Sequence, residues 1–331
     1  MPVMPLLRTH KLTGLFFVKA DIMESYTKPA LTVAEQIAQW EKRGLIMPDP
    51  ERAKRYLEVI SYYRLSAYTL PYQIPKSNNN DHTFIPGTNF TDILNLYIFD
   101  RKLRLLILDA IERIEVGVRS IINNHMALTY GPHWYLDQNN FRNKYDHKRL
   151  LEKVSELLKQ KRKEVFIQHY LKKYDKPKFP PSWMMVEILS FGQLTILCAN
   201  NLHKQDQRKI SQFFKIYPPV FLSWIRSLNY VRNICAHHSR IWNREMAQAP
   251  QLPKVIKDTW ISYPIVVSDP KIKPESRLYL LLAIINFLVH QVNRSSSWHK
   301  RLYDLIENST FSKAHMGMPE NWFEDGFWRL P

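Results

Sequence analysis

The stretch TDILNLYIFDRKLRLLILDAIERIEVGVRSIINNHMAL, residues 91–128, decides the fold class. Leu96, Phe99, Leu103, Leu106, Ala110, Ile114, Val118 and Ile121 recur at intervals of three or four, which on a helix draws one apolar stripe. Gly131-Pro132 closes this long helix. On its N-terminal side, Thr32 followed by Glu35 is a capping-box start for a helix over 32–43, stopped by Gly44. Pro50 opens a second helix to about Tyr63, and a short third covers 66–72. On the C-terminal side, charged helices over 147–173 run to a break at Pro177–Pro181. A helix over 182–200, bent near Gly192, follows, then one over 204–214. Pro218-Pro219 opens a further helix over 219–244, and a proline-rich connector leads to helices over 275–294 and 297–307.

The rest of the composition agrees with an all-α chain. Only eight glycines occur in 331 residues, while 21 prolines fall mostly between the periodic stretches. The polar segment 75–90, beginning Pro75-Lys76-Ser77-Asn78-Asn79-Asn80-Asp81, is the clearest internal boundary. Four regions are therefore expected: an extension over 1–26, a helical region over 27–75, a larger helical domain over 88–310 and an aromatic tail over 311–331. Leu15–Val18 is too short for a signal-peptide core, and Met23 is an alternative start. Leu278–Val289 is strongly apolar but closed early by His290 and Gln291, so it reads as a buried helix and not a span.

A net charge of +17 favours a polyanionic partner, nucleic acid before membrane surface, although a merely basic surface has the same composition. The two cysteines, Cys198 and Cys235, have no C-x-x-C spacing, which argues against a disulfide framework or zinc knuckle and fits the cytoplasm. The dispersed glycines exclude the usual phosphate-binding, dinucleotide and nucleophile-elbow fingerprints, and H-E-x-x-H is absent. Nothing in the sequence calls for a metal or cofactor.

The helix over 219–244 carries the most chemistry. Advancing about 100° per residue places Phe221, Trp224, Leu228, Val231, Cys235 and Trp242 on one face. Arg226, Asn229, Asn233, His237, Arg240 and Arg244 share the opposite face, with Arg232 at the border. Such a stripe describes any solvated amphipathic helix, and it equally describes a phosphate-binding surface of cations, amides and one titratable imidazole.

Arg232, polar Asn233 and then His237 resemble the Arg-x4-to-6-His motif of the HEPN ribonucleases. Thr27–Thr32, Arg43-Gly44-Leu45, Tyr62-Tyr63-Arg64-Leu65, Phe99–Arg104, Ile114-Glu115, Arg232–Arg240 and Met318–Trp322 together resemble the bacterial abortive-infection (Abi) family, over residues 27–326. The resemblance implies a HEPN-type helical bundle with a small N-terminal helical region and a C-terminal extension. It also implies a role in phage defence, in some members as a toxin restrained by an antitoxin.

The implied chemistry is metal-independent RNA cleavage. RNA supplies its own 2′-OH nucleophile, so the protein needs a proton acceptor, a proton donor and positive charge on the phosphate. His237 suits the proton transfers and Arg232 the phosphate, with Asn233 as orienting partner. His238 competes with His237, but its helical position, turned toward the apolar side, reads as structural. Arg232 and His237 lie about 140° apart on an ideal helix. A homodimer or a second motif within the chain is then expected to complete the site, as dimers of HEPN proteins do. Arg119 and His125 have a similar spacing, although Glu115 lies in the favourable position to pair with Arg119, which favours a structural or RNA-binding role. Arg101, Arg104, Arg119, Arg226, Arg240 and Arg244 are candidate RNA-backbone contacts. Tyr62 and Tyr63 read as core packing before base stacking. Two other functions suit the same residues: a non-catalytic module that binds a structured regulatory RNA, and a protein-interaction scaffold built on the aromatic tail.

Overall fold

The long apolar stripe forms the axis of the molecule. In the computed structural model, which describes residues 25, 27–75, 82–142, 145–253, 260–267 and 270–329, it is one helix, α4, Phe90–Tyr130. Asn89 caps it reciprocally with Asp92, satisfying backbone N–H groups that the first turn leaves unpaired. At 41 residues it runs about 60 Å. Six of the eight stripe residues are buried, and Leu106 and Ile121 are half-buried.

Before it come α1 (Val33–Lys42), α2 (Pro50–Ile60) and α3 (Tyr62–Ser66). The expected capping box is present on α1, where Thr32 Oγ1 accepts from Glu35 N at 3.3 Å and Glu35 Oε2 accepts from Thr32 N at 2.7 Å. Gly44, at φ 93°, ends that helix in a conformation that favours glycine. The second helix stops at Ile60, short of the expected Tyr63, and Ser61 caps α3 separately.

After α4 follow α5 (His147–Gln160), α6 (Val165–Lys173), α7 (Ser182–Ile188), α8 (Phe191–Gln193), α9 (Lys204–Phe213), α10 (Pro218–Ala236), α11 (Leu278–Val292) and α12 (Trp298–Glu307). The segment expected as one bent helix over 182–200 is three pieces: α7, α8 and a π-helical stretch, Leu194–Ala199. Helices α3, α7, α9, α10, α11 and α12 all pack on α4. Helix α11 is buried on every side from Leu278 to Val289, as its nearly uniform apolar sequence there requires. It approaches α4 closely at Gly117, where an added Cβ would lie 2.5 Å from Val292 Cγ1.

The aromatic tail joins the core, burying Trp322, Phe327 and Trp328. Trp328 Nε1 donates to Tyr279 Oη at 3.2 Å. Among the described residues there is no strand, only three isolated bridges, and no helix is long and apolar enough to cross a membrane. The readings of Leu15–Val18 and Met23, and residues 76–81 of the polar loop, lie outside the described residues.

Candidate functional site at the end of α10

Helix α10 orients its residues as its periodicity dictates. Phe221, Trp224, Leu228, Val231 and Cys235 are buried, while Arg226, Arg232 and His237 are exposed and Asn229 and Asn233 half-buried. Gly192 of α8 makes room for Asn229, whose amide Nδ2 would sit 3.0 Å from an added Cβ.

The helix stops at Ala236, eight residues before the expected end. His238 N donates to Cys235 O and Ser239 N to Ile234 O, both at 3.0 Å, which closes the helix in a Schellman motif. The left-handed position of that motif is His238, at φ 58°, where glycine is usual. The stop therefore lacks its usual sequence mark. It also overturns the facing argument for His238, which is exposed on the turn and not directed to the core.

Asn233 touches Arg232 through its side chain and His237 through the backbone alone. Its Oδ1 accepts from Arg232 Nη1 at 3.4 Å, and its carbonyl accepts from His237 N at 2.9 Å. Arg232 and His237 are exposed, with half-buried Asn233 between them, at the C-terminal end of one helix. Cys235, between them in sequence, faces inward. Burial pushes its thiol up to about 12, so it carries no thiolate near neutral pH.

Behind this end, residues 239–242 are fastened by a buried polar network. Asp100 Oδ1 accepts from Ile241 N at 3.1 Å and Trp242 N at 2.7 Å. Its Oδ2 accepts from Tyr68 Oη at 2.7 Å and pairs with Arg104. Burial works to lower the pKa of Arg104, but Asp100 and Tyr68 outweigh it and the net shift is upward. Arg240 Nη1 donates to Ala67 O at 2.5 Å, and burial depresses its pKa against the pull of Asp100. Arg64 Nη1 donates to His238 O at 2.7 Å. The N-terminal region is therefore bonded directly to the turn that carries the histidines.

The expected arginines separate on these grounds. Arg101 and Arg226 are exposed cations. Arg104 is 4% exposed and neutralised by Asp100, so it is a packing residue and not a surface contact. Arg240 and Arg244 do not lie on α10; Arg240 is committed to Ala67, and Arg244 Nη1 donates to Arg240 O at 3.3 Å. Arg119 is buried, bonded to the carbonyls of Val186 and Leu189 and paired with Glu115, the partner its spacing indicated. His125 Nε2 pairs with Asp206 Oδ1 at 2.8 Å. Arg119 and His125 are thus tied into separate contacts and form no second copy of the exposed arrangement. Tyr62 stacks on Trp40 at 4.5 Å between ring centroids, as expected of packing, whereas Tyr63 is 89% exposed.

No local sequence signal marks Asp100, Tyr68 or Arg64 as individual residues. Asp100 and Arg64 nonetheless lie within Phe99–Arg104 and Tyr62–Leu65, sequence blocks that the fold brings against residues 238–242. That convergence spans α3, α4 and the turn after α10, and a family model for Abi-like proteins matches residues 55–243, more than half of the chain. The chain belongs to the Abi-like protein family. The matched segment runs from within α2 through the turn after α10 and so contains the whole network and Arg232, Asn233 and His237. Membership connects it with abortive infection, a mode of phage defence. No curated protein and no solved structure matches it. Among the described residues, no group of three or more His, Cys, Asp or Glu side chains is arranged to hold a metal ion.

Proposed function

We propose that this Abi-like protein is a metal-independent endoribonuclease of HEPN type acting in abortive infection. The observation that carries the reading is the exposure of Arg232 and His237 at the end of α10, with half-buried Asn233 accepting from the Arg232 guanidinium. In this reading the Arg232 fork holds two phosphate oxygens and stabilises the charge that builds on phosphorus during attack. His237 takes the proton from the 2′-OH or gives one to the departing 5′-oxygen. The 2′-oxygen displaces the 5′-oxygen, leaving a 2′,3′-cyclic phosphate and a 5′-OH.

One imidazole serves one proton transfer well, and the other falls to a second copy. Arg119 and His125 are engaged inside the fold, so the complementary motif comes from a second chain in a homodimer. His238, on the same exposed turn, is the alternative proton carrier. Restraint by an antitoxin would act on this same exposed end.

The test is the chemistry of the products. An RNA oligonucleotide incubated with the protein in EDTA should yield 2′,3′-cyclic phosphate ends, and a single 2′-deoxy substitution should block cleavage at its position. Tight RNA binding without cleavage would instead assign the protein to the non-catalytic module that binds a regulatory RNA.

A further inference from the structure

A concave surface lies on the N-terminal side of the turn at His238. It is a cleft of about 820 Å³ between α1 and the segment from α3 to Gln73. Its wall includes the Trp40–Tyr62 stack, whose rings lie 28° from parallel. Tyr62 Oη donates to Gln39 Oε1 at 2.9 Å and accepts from Arg43 Nη1 at 3.2 Å, so the cation is held in place at the wall. Lys28 adds a second cation, and Gln36, Gln39 and Gln73 supply amides. Tyr63 stands beside them with most of its ring in solvent. Among the described lining residues there is no carboxylate.

Each component matches one part of a nucleotide. An exposed tyrosine ring offers a face on which a base can stack without regard to its identity. Fixed and flexible cations with no opposing carboxylate suit a phosphodiester. Side-chain amides present both donors and acceptors to a base edge. Helix α3 provides the link to the candidate active site, because Tyr63 lines the cleft while its neighbour Arg64 bonds the carbonyl of His238. We propose that this cleft is a subsite for a nucleotide of single-stranded RNA flanking the one cleaved at the end of α10. The inference rests on the ribonuclease reading and adds to it where the strand runs.

The test measures binding, so that it is separable from catalysis. Full-length protein carrying His237→Ala is titrated into a fluorescein-labelled, unstructured RNA decamer in EDTA, and anisotropy is read. Adding Tyr63→Ala or Arg43→Gln should weaken binding about tenfold, as loss of one stacking or phosphate contact does. Tyr63→Phe, which keeps the ring, should restore it. Circular dichroism melts confirm that each variant is folded; the exposure of Tyr63 makes its variants the decisive ones if Arg43→Gln perturbs α1. If the decamer binds and Tyr63→Ala leaves affinity unchanged, the cleft is not a subsite while the ribonuclease reading stands. If the decamer does not bind at all, both fall. Free mononucleotides binding as tightly as the decamer, with the same dependence on Tyr63, would make the cleft a site for soluble nucleotides and overturn the strand assignment.

Discussion

Asp100 and Trp242 lie 142 positions apart in sequence, yet the carboxylate Oδ1 of the first accepts the backbone N–H of the second at 2.7 Å. That bond, with its neighbour to Ile241 N, fixes the chain just after the exposed histidines to the central helix. Asp100 is fully buried and Arg104 nearly so, and the pair is worth most when neither is left alone. Asp100→Ala should therefore cost about 3–5 kcal/mol in urea unfolding, since it strands a buried guanidinium and two backbone donors. Asp100→Asn, which still accepts from the backbone, should cost less. Equal and small losses in both variants would show that the network does not hold the turn.

The left-handed position of the Schellman motif is occupied by a histidine, and a residue with a Cβ is strained there. His238→Gly should raise folding stability by up to about 1 kcal/mol, less whatever the added freedom of the unfolded chain removes. Denaturant titration reads the change directly. A destabilised variant would mean that the His238 side chain makes a contact that outweighs the backbone strain.

Acid should weaken the fold from a defined point. Burial, helped by His290 and Lys300, lowers the pKa of His299, and burial with Arg277 lowers that of His315. Both rings bind protons less readily in the folded chain than at their ordinary value of 6.5. The unfolded chain then takes up more protons below about pH 6.5, so stability falls from there down through the two folded-state values and is unaffected by these groups at higher pH. Melting temperature measured from pH 8 to pH 5 should be flat and then decline, and His299→Gln should flatten the decline. An unchanged slope in that variant would remove His299 from the account.

The parts of the fold legible in the sequence were those fixed locally. The stripe of α4, the capping box of α1 and the apolar all-round composition of α11 each state their structure within a few turns of chain. So did the inward face of α10, because Trp224, Leu228 and Val231 obey the helical period. The end of α10 was not legible, since its stop is a histidine in a place where glycine gives the signal. Continuing the periodicity past it put Arg240 and Arg244 on a face that does not exist. The burial of Arg104 could not be read locally either: Asp100 sits four residues before it, but whether such a pair lies at the surface depends on Tyr68 and on the chain around Trp242, which only the tertiary fold supplies. Arg119 is the reverse case, where the local partner Glu115 was correctly indicated and the distant carbonyls complete it.

The most direct measurement compares three proteins on one RNA, in EDTA, at matched concentration: the parent chain, Arg232→Ala and His237→Ala. Both side chains are exposed, so the variants should unfold within about 0.5 kcal/mol of the parent. Cleavage by the parent, with a loss of at least about a hundredfold in each variant, is the predicted result. Cleavage that survives in His237→Ala, or that appears only when a divalent metal is supplied, would contradict the assignment of Arg232 and His237 as the cutting groups.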